Sequence, residues 1–214
     1  MNKKVKQFWN SSEAEGFEKI TIESGRYDAI EDIAKVFSLE ARKPISSSLD
    51  LGCGTGLFEK ALDRKDIIGV DISSPFLELA KTRINKIIEK SIFEYKPKTK
   101  FHNIISLFVI DDYSDKFKKD FLKHIISLLK PSGKLFFAAY SPNDERMGSK
   151  KDKINKILNQ EFNIELESLE FYENIIKKTG LKILTSKFIS KKGLYKDINV
   201  NREFIFIIAE LNKS

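Results

Sequence analysis

The stretch LDLGCGTGLFEKAL, residues 49–62, constrains the fold more than any other part of this chain. An apolar strand ending runs into three alternating glycines, Gly52, Gly54 and Gly56, and leaves as a helix. A strand, a glycine turn and a helix in succession form the first turn of a β–α unit that takes a ligand against its backbone. A dinucleotide fingerprint needs the spacing G-x-G-x-x-G. From Gly52 and Gly54 its third glycine would fall at position 57, which is Leu57; the third glycine is at 56 instead. This departure weakens the case for a nicotinamide dinucleotide without closing it.

The remaining segments alternate in the same manner. Ser12 and Glu15 fit a capping box that opens a short helix ending near Gly25. Ile30, Ile33, Ala34 and Phe37 have helical spacing. Strand Ser48–Leu51 and helix Leu57–Leu62 flank the glycines, and Ile67–Asp71 is a short apolar strand ending in an acid. Pro75 opens a helix expected over Phe76–Ile87, with a third strand over Ile88–Phe93. Asn103–Ile110 is the continuous apolar run of a strand buried on both faces. Phe117–Leu129 is amphipathic, and Lys134–Tyr140 is another strand. This order predicts a doubly wound α/β sheet with ligands at the carboxyl ends of its strands. Two helices follow, Lys151–Gln160 and Leu166–Thr179, and then a strand pair, Leu181–Ile189 and Glu203–Leu211. The polar link between them, Ser190–Arg202, is expected to be a mobile or extended hairpin tip.

At 214 residues the chain is long enough for one domain with a real core. No apolar run approaches the ~20 residues of a membrane span, and MNKKVKQFWN is not followed by the apolar stretch of a secretory signal. The single cysteine, Cys53, permits no internal disulfide and fits a reducing cytoplasm. The net charge of +7 comes from lysines spread over several elements, with no arginine-rich tract and no zinc-finger spacing. Solvated lysine faces account for that better than a nucleic-acid surface does.

Four segments in order, LDLGCGTG, GVDIS, FHNIISLFVIDDYSD and LLKPSGKLFF, resemble the successive motifs of the class I S-adenosylmethionine-dependent methyltransferases. The resemblance covers roughly residues 45–142. It implies a Rossmann-like seven-stranded sheet with the last strand antiparallel. Residues 1–214 would then be one methyltransferase domain, divided into a helical lid (1–40), a cofactor-binding core (45–142) and acceptor-side helices with the final strand pair (143–214). It implies S-adenosylmethionine as cofactor and S-adenosylhomocysteine as product. Gly52, Gly54 and Gly56 would let the backbone approach the cofactor, with Asp50 as a partner of the loop. Asp71 would accept from the ribose hydroxyls, and Ile72 would lie on the adenine. Ser91, Ile92 and Leu107 would complete the wall; Ser91 departs from the acid that relatives often carry there.

The acceptor side is less determined. The N-terminal segment, with Phe8, Trp9, Arg26 and Tyr27, loosely resembles the ubiquinone-type O-methyltransferases, in which such an arginine helps hold the cofactor's carboxylate. That makes Arg26 a cofactor residue, with Trp9 and Tyr27 beside the acceptor. Asp111 and Asp112 stand where relatives commonly have a glutamate–histidine pair and are the candidate catalytic groups. Tyr113, Tyr140, Asn143 and Arg146 are the other candidate acceptor contacts. The motif of base-amine methyltransferases is missing after the fourth strand. The Asn143–Asp144 pair falls too late after the fifth strand for the magnesium site of catechol-type enzymes, so no metal is expected. The resulting expectation is methyl transfer to oxygen or nitrogen of a small molecule. RNA, a peptide or protein as acceptor, and a silent cofactor-binding subunit, stand as alternatives.

Overall fold

The computed structural model describes residues 14–111, 113–158 and 166–212. Helices α1 (Ala14–Glu23) and α2 (Arg26–Glu40) precede β1 (Ser48–Leu51), α3 (Leu57–Leu62) and β2 (Ile68–Asp71). Then come α4 (Ser74–Ala80), β3 (Lys86–Glu89), β4 (Phe101–Leu107), α5 (Asp115–Leu128) and β5 (Leu129–Tyr140). Helices α6 (Lys151–Leu158) and α7 (Leu169–Lys178) lead to β6 (Leu181–Tyr195) and β7 (Ile198–Leu211). The strands form one sheet in the order β3-β2-β1-β4-β5-β7-β6. The first five are parallel, and β7 is antiparallel to both β5 and β6. The order reverses at β1, which places the crevice between the carboxyl ends of β1 and β4.

Side chains two apart on a strand share a face, and the central strands are apolar on both. Leu135, Phe137 and Ala139 of β5, with Ile205, Ile207 and Ala209 of β7, pack under Phe121, Leu122 and Ile125 of α5 and Tyr172 and Ile176 of α7. Phe136, Ala138 and Tyr140, with Phe204, Phe206 and Ile208, pack under Ile33, Ala34 and Phe37 of α2 and Leu57 and Phe58 of α3. Helix α2 is therefore part of the layer that covers the sheet, whereas α1 packs against α2, α4 and β6.

Two segments differ from the sequence expectation. The helix after Pro75 stops at Ala80, and the third strand is Lys86–Glu89 rather than Ile88–Phe93. The Asn85 amide bonds to the Lys65 carbonyl at 2.9 Å, and Lys86 registers with Ile68, so the β-branched pair Ile87–Ile88 is drawn to the sheet edge. The polar link Ser190–Arg202 takes the extended form of a hairpin tip and carries both strands beyond their expected ends. The β6–β7 ladder continues to Tyr195↔Ile198 and closes through Lys196, whose φ is +51°, and Asp197. Tyr195, Ile198 and Val200 pack with Ile154 of α6 and Ile20 of α1. The hairpin also presses on the α1–α2 corner, where a Cβ at Gly193 would strike the Ser24 carbonyl.

Candidate functional site

Strand β1 ends in Leu51, and the chain turns through Gly52 and Gly54 with φ of +85° and +54°, a region costly for any residue with a Cβ. The two glycines serve different ends. A Cβ at Gly52 would strike the Val109 side chain of the segment after β4. At Gly54 it would touch only the Phe76 ring, 3.8 Å away, on the wall of an open cavity. Gly54 thus opens the cavity, and Gly52 permits loop packing. Gly56, with φ +77°, precedes α3 and lies against Arg83 rather than on the cavity wall.

The cavity has an empty volume of about 960 Å³ including its open mouth, within the range of small-molecule sites. Its floor carries Asp50, Gly52, Cys53, Gly54 and Thr55; its side carries Asp71, Ile72, Ser91 and Ile92. Leu107, Phe108, Val109 and Tyr113 close it from β4. Phe17, Thr21, Arg26 and Ile30 come from α1 and α2. The Phe17 ring lies 4.9 Å from that of Phe76, and Glu18 takes a two-pronged bond from Arg83 at 2.7 and 2.8 Å. Arg83 also donates to the Thr55 carbonyl at 2.9 Å, so one guanidinium ties α1 to the glycine loop. The Arg83–Glu18 hydrogen bond is the leading reason the Glu18 carboxyl sits below its ordinary range.

Asp71 locks the loop. Its Oδ2 accepts from the Gly54 amide and its Oδ1 from the Ser73 amide, each at 2.9 Å. The two carboxylate oxygens offer about four lone-pair sites between them, so acceptor capacity remains for a further donor. Burial raises the Asp71 carboxyl, and the amides of Ser73, Gly54 and Ile72 pull it back. Arg26 donates to the Tyr140 hydroxyl at 2.7 Å and to the Thr21 hydroxyl, and its guanidinium lies 4.6 Å from the Phe17 centroid. No described carboxylate forms an ion pair with Arg26, which leaves a cation in the wall without a counter-charge of its own.

These residues fit S-adenosylmethionine. Gly54 offers backbone without a side chain, Asp71 has free acceptor capacity for a diol, and Arg26 is a cation suited to a carboxylate. Asp50, Gly52, Gly54, Asp71, Ile72, Ser91, Ile92, Leu107, Arg26 and Tyr113 are brought together on the wall. Other candidates lie elsewhere. Asp111 is 3 % exposed, is not on the wall, and accepts the Tyr140 amide at 3.0 Å, which fastens the end of β5. Tyr140 is buried behind Arg26 and reaches the cavity only through it. Asn143 donates to Glu203 at 3.0 Å. Arg146 is buried, donates to Asn155 at 2.9 Å, and lies over the Tyr195 ring at 5.4 Å. Tyr27 lies off the wall with Lys60 5.5 Å from its ring. Phe8, Trp9 and Asp112 lie outside the described residues. The sequence reading missed Phe17, Thr21, Ile30, Phe58, Phe76, Phe108 and Val109. Phe17 and Thr21 are one helical turn apart, a spacing that was there to be used. The φ of +60° at Phe108, rare for an aromatic residue, has no sequence signal.

Comparison with known proteins gives the same picture. A methyltransferase-domain family matches residues 22–186. The chain is 28 % identical over 169 residues to malonyl-[acyl-carrier protein] O-methyltransferase 2 of Ilyobacter polytropus, covering 74 % of this chain and 57 % of that protein. It is 31 % identical over 104 residues to the ubiquinone biosynthesis O-methyltransferase of Coxiella burnetii, covering 44 % of each. The chain thus spans about half the length of these curated relatives. Among solved structures, it superposes on magnesium protoporphyrin IX methyltransferase from Synechocystis, with SAH bound, at a TM-score of 0.73 and 15 % identity, covering 97 % of this chain and 98 % of that one. A possible histamine N-methyltransferase from Thermotoga maritima gives 0.67 at 20 % identity, covering 92 % and 94 %. At such identities the superpositions show a shared fold.

Proposed function

The chain belongs to the S-adenosylmethionine-dependent methyltransferases, and from that premise we propose that it transfers a methyl group to oxygen or nitrogen of a small molecule. The observation that carries this reading is the composition of the cavity wall. Donor-side groups (Asp50, Gly54, Asp71, Ile72) share one cavity with an apolar and aromatic rim of Phe17, Phe76, Phe108 and Tyr113. Such a wall suits a compact, partly apolar acceptor beneath α1 better than a polymer laid along a basic groove. The relatives named as O-methyltransferases support the same class.

The bound cofactor supplies a methyl group already activated on a sulfonium, so the protein's task is to hold, align and shield. Asp71 would hold the ribose diol with its remaining lone pairs, and Arg26 the carboxylate. Helix α1, clamped by Arg83, would exclude water from the cavity. In-line displacement gains most from such alignment. A proton leaving the acceptor passes to solvent or to a carboxylate, and Asp112 is the sequence candidate for that group.

The test is incubation of the protein with methyl-labelled cofactor and a metabolite extract, with and without nuclease. Label in a small organic product is the expected outcome. Label in a nuclease-sensitive polymer would replace the acceptor class, and cofactor binding with no transfer to any fraction would make the chain a silent subunit.

A further inference from the structure

Behind the glycine loop lies a buried glutamate that pairs with no cation among the described residues. Glu59, in the first turn of α3, is 1 % exposed, and among the described residues neither carboxyl oxygen has a hydrogen-bond partner outside its own helix turn and Asp50. A carboxylate so placed pays the full cost of leaving water. Its ionisable neighbour is Asp50, 3 % exposed, whose carboxyl is close enough to Glu59 to share a hydrogen bond and which lines the cavity. Asp71 adds its negative charge to that felt by Asp50, and the buried Cys53 thiol beside them is pushed up by burial and then by the charges of Asp71, Asp50 and Glu59.

The cations around it are engaged elsewhere. Arg83 is held by Glu18 and the Thr55 carbonyl, Lys60 lies over the Tyr27 ring, and Arg26 bonds the Tyr140 and Thr21 hydroxyls. No described salt bridge includes Asp50, Glu59 or Asp71. Two buried carboxyls in contact cannot both ionise without a counter-charge, and such a pair takes up one proton between them. The charge that would let it go must arrive with a ligand. S-adenosylmethionine brings two positive centres, the sulfonium and the α-ammonium, against one carboxylate.

We propose that Asp50 and Glu59 act as a single acid that holds a proton in the cofactor-free protein and releases it to solvent when the cationic cofactor fills the cavity. Glu59 is then a positioning residue: it never touches the ligand and sets the charge that Asp50 presents to it. The inference rests on the cofactor reading above and goes beyond it, because it couples donor binding to pH. Burial, the leading cause, pushes Glu59 up to about 7. It also raises Asp50 well above its ordinary range, with Glu59 as the next cause. Binding that releases a proton tightens as pH rises, by at most about tenfold per unit for one proton. The product lacks the sulfonium charge, so its affinity should rise less steeply than that of the donor over the same range.

The experiment is calorimetric titration of S-adenosylmethionine at pH 6.5 in phosphate and in imidazole, whose protonation heats differ. At that pH the cofactor's own α-ammonium is already charged. The wild type should release on the order of half a proton or more per site, and Glu59→Gln less than about a fifth of that, while still binding the cofactor. Heats that do not depend on the buffer in the wild type, or equal release by Glu59→Gln, would overturn the inference. Should Glu59→Gln fail to fold, wild-type affinity from pH 5.5 to 7 decides: a rise supports the pair, and a flat profile sinks it. No binding heat at any pH would instead remove the cofactor reading itself.

Discussion

Beside the long hairpin, Arg202 is 1 % exposed, and its Nε donates to Asp144 at 2.8 Å. Its Nη1 donates to the Ser24 carbonyl at 2.9 Å and to the Tyr195 hydroxyl at 3.0 Å, and the guanidinium lies 5.0 Å from the Phe204 centroid. Beneath the glycine loop, Asp50 and Glu59 are as deeply buried and form no salt bridge with any described cation. The first arrangement is self-contained: Asp144 also takes the Glu203 amide at 3.1 Å and the Met147 amide at 3.2 Å, so one carboxylate fastens the loop after β5 to the hairpin. The second is incomplete among the described residues. Charge that is buried and partnered holds a fold together, whereas charge that is buried and unpartnered is a cost the fold carries for a ligand.

That contrast is open to attack at its structural end first. Asp144→Ala removes the counter-charge and leaves Arg202 buried, which costs about 3–5 kcal/mol of stability. Denaturant unfolding should show it as a lower midpoint, with cofactor affinity in the still-folded fraction little changed. Replacing both partners, Asp144→Leu with Arg202→Met, should cost less than Asp144→Ala alone, because no charge is then stranded. A double variant as weak as the single one would mean that the loop bonds of Asp144, rather than the ion pair, hold this region.

At the functional end the larger effect belongs to Asp71. Its carboxylate holds the Gly54 and Ser73 amides and has lone pairs left for a diol. A charge-assisted bond contributes about 1.5–3 kcal/mol, and two from one group are less than additive. Asp71→Ala should therefore weaken cofactor binding about ten- to a thousand-fold. Calorimetry should find a similar loss for S-adenosylhomocysteine, since the methyl group is remote from the ribose. Unchanged affinity would leave Asp71 as a loop lock only.

How far the sequence foretold each region follows from where the partners lie. Strand β1, the loop and α3 were legible to the residue, because glycines, strand and helix signals are all local there. The hairpin was foretold as a strand pair with an extended tip, but the packing of that tip was not, because Tyr195, Ile198 and Val200 are buried by Ile20 and Ile154, more than a hundred and about forty residues away. For the same reason Arg202 looked like a tip residue and Asn143–Asp144 like a site; their partners are Glu203 and Arg202. Glu59 reads in sequence as an acid in a first helical turn, a favourable surface position. Only the packing of α3 into the core turns that acid inward.

The smallest expected effect is the dependence of folding stability on pH, and it separates the two regions in a single profile. The unfolded Glu59 ionises near 4.5 and the folded one near 7, so between those values the folded state keeps a proton that the unfolded state has lost. The folded state binds more protons there, and stability must fall as pH rises. The contribution is fully present below about pH 4.5 and gone above about 7; Asp50 and Asp71, also raised by burial, act in the same direction. Glu18, Asp32 and Asp66 are lowered and oppose this only in acid, where they lose their bonds to Arg83, Lys191 and Arg64. Burial of a coupled pair spreads the effect over both members, so roughly 1–3 kcal/mol is the share expected of Glu59. The cofactor-free wild type should therefore melt several degrees lower at pH 8 than at pH 5. Glu59→Gln, which carries no charge to bury, should flatten that slope, and Asp144→Ala, which strands a cation without touching the pair, should lower the whole profile while keeping its slope. A wild-type melting temperature that is level or rises between pH 5 and 8 would mean that the buried pair finds its counter-charge within the protein.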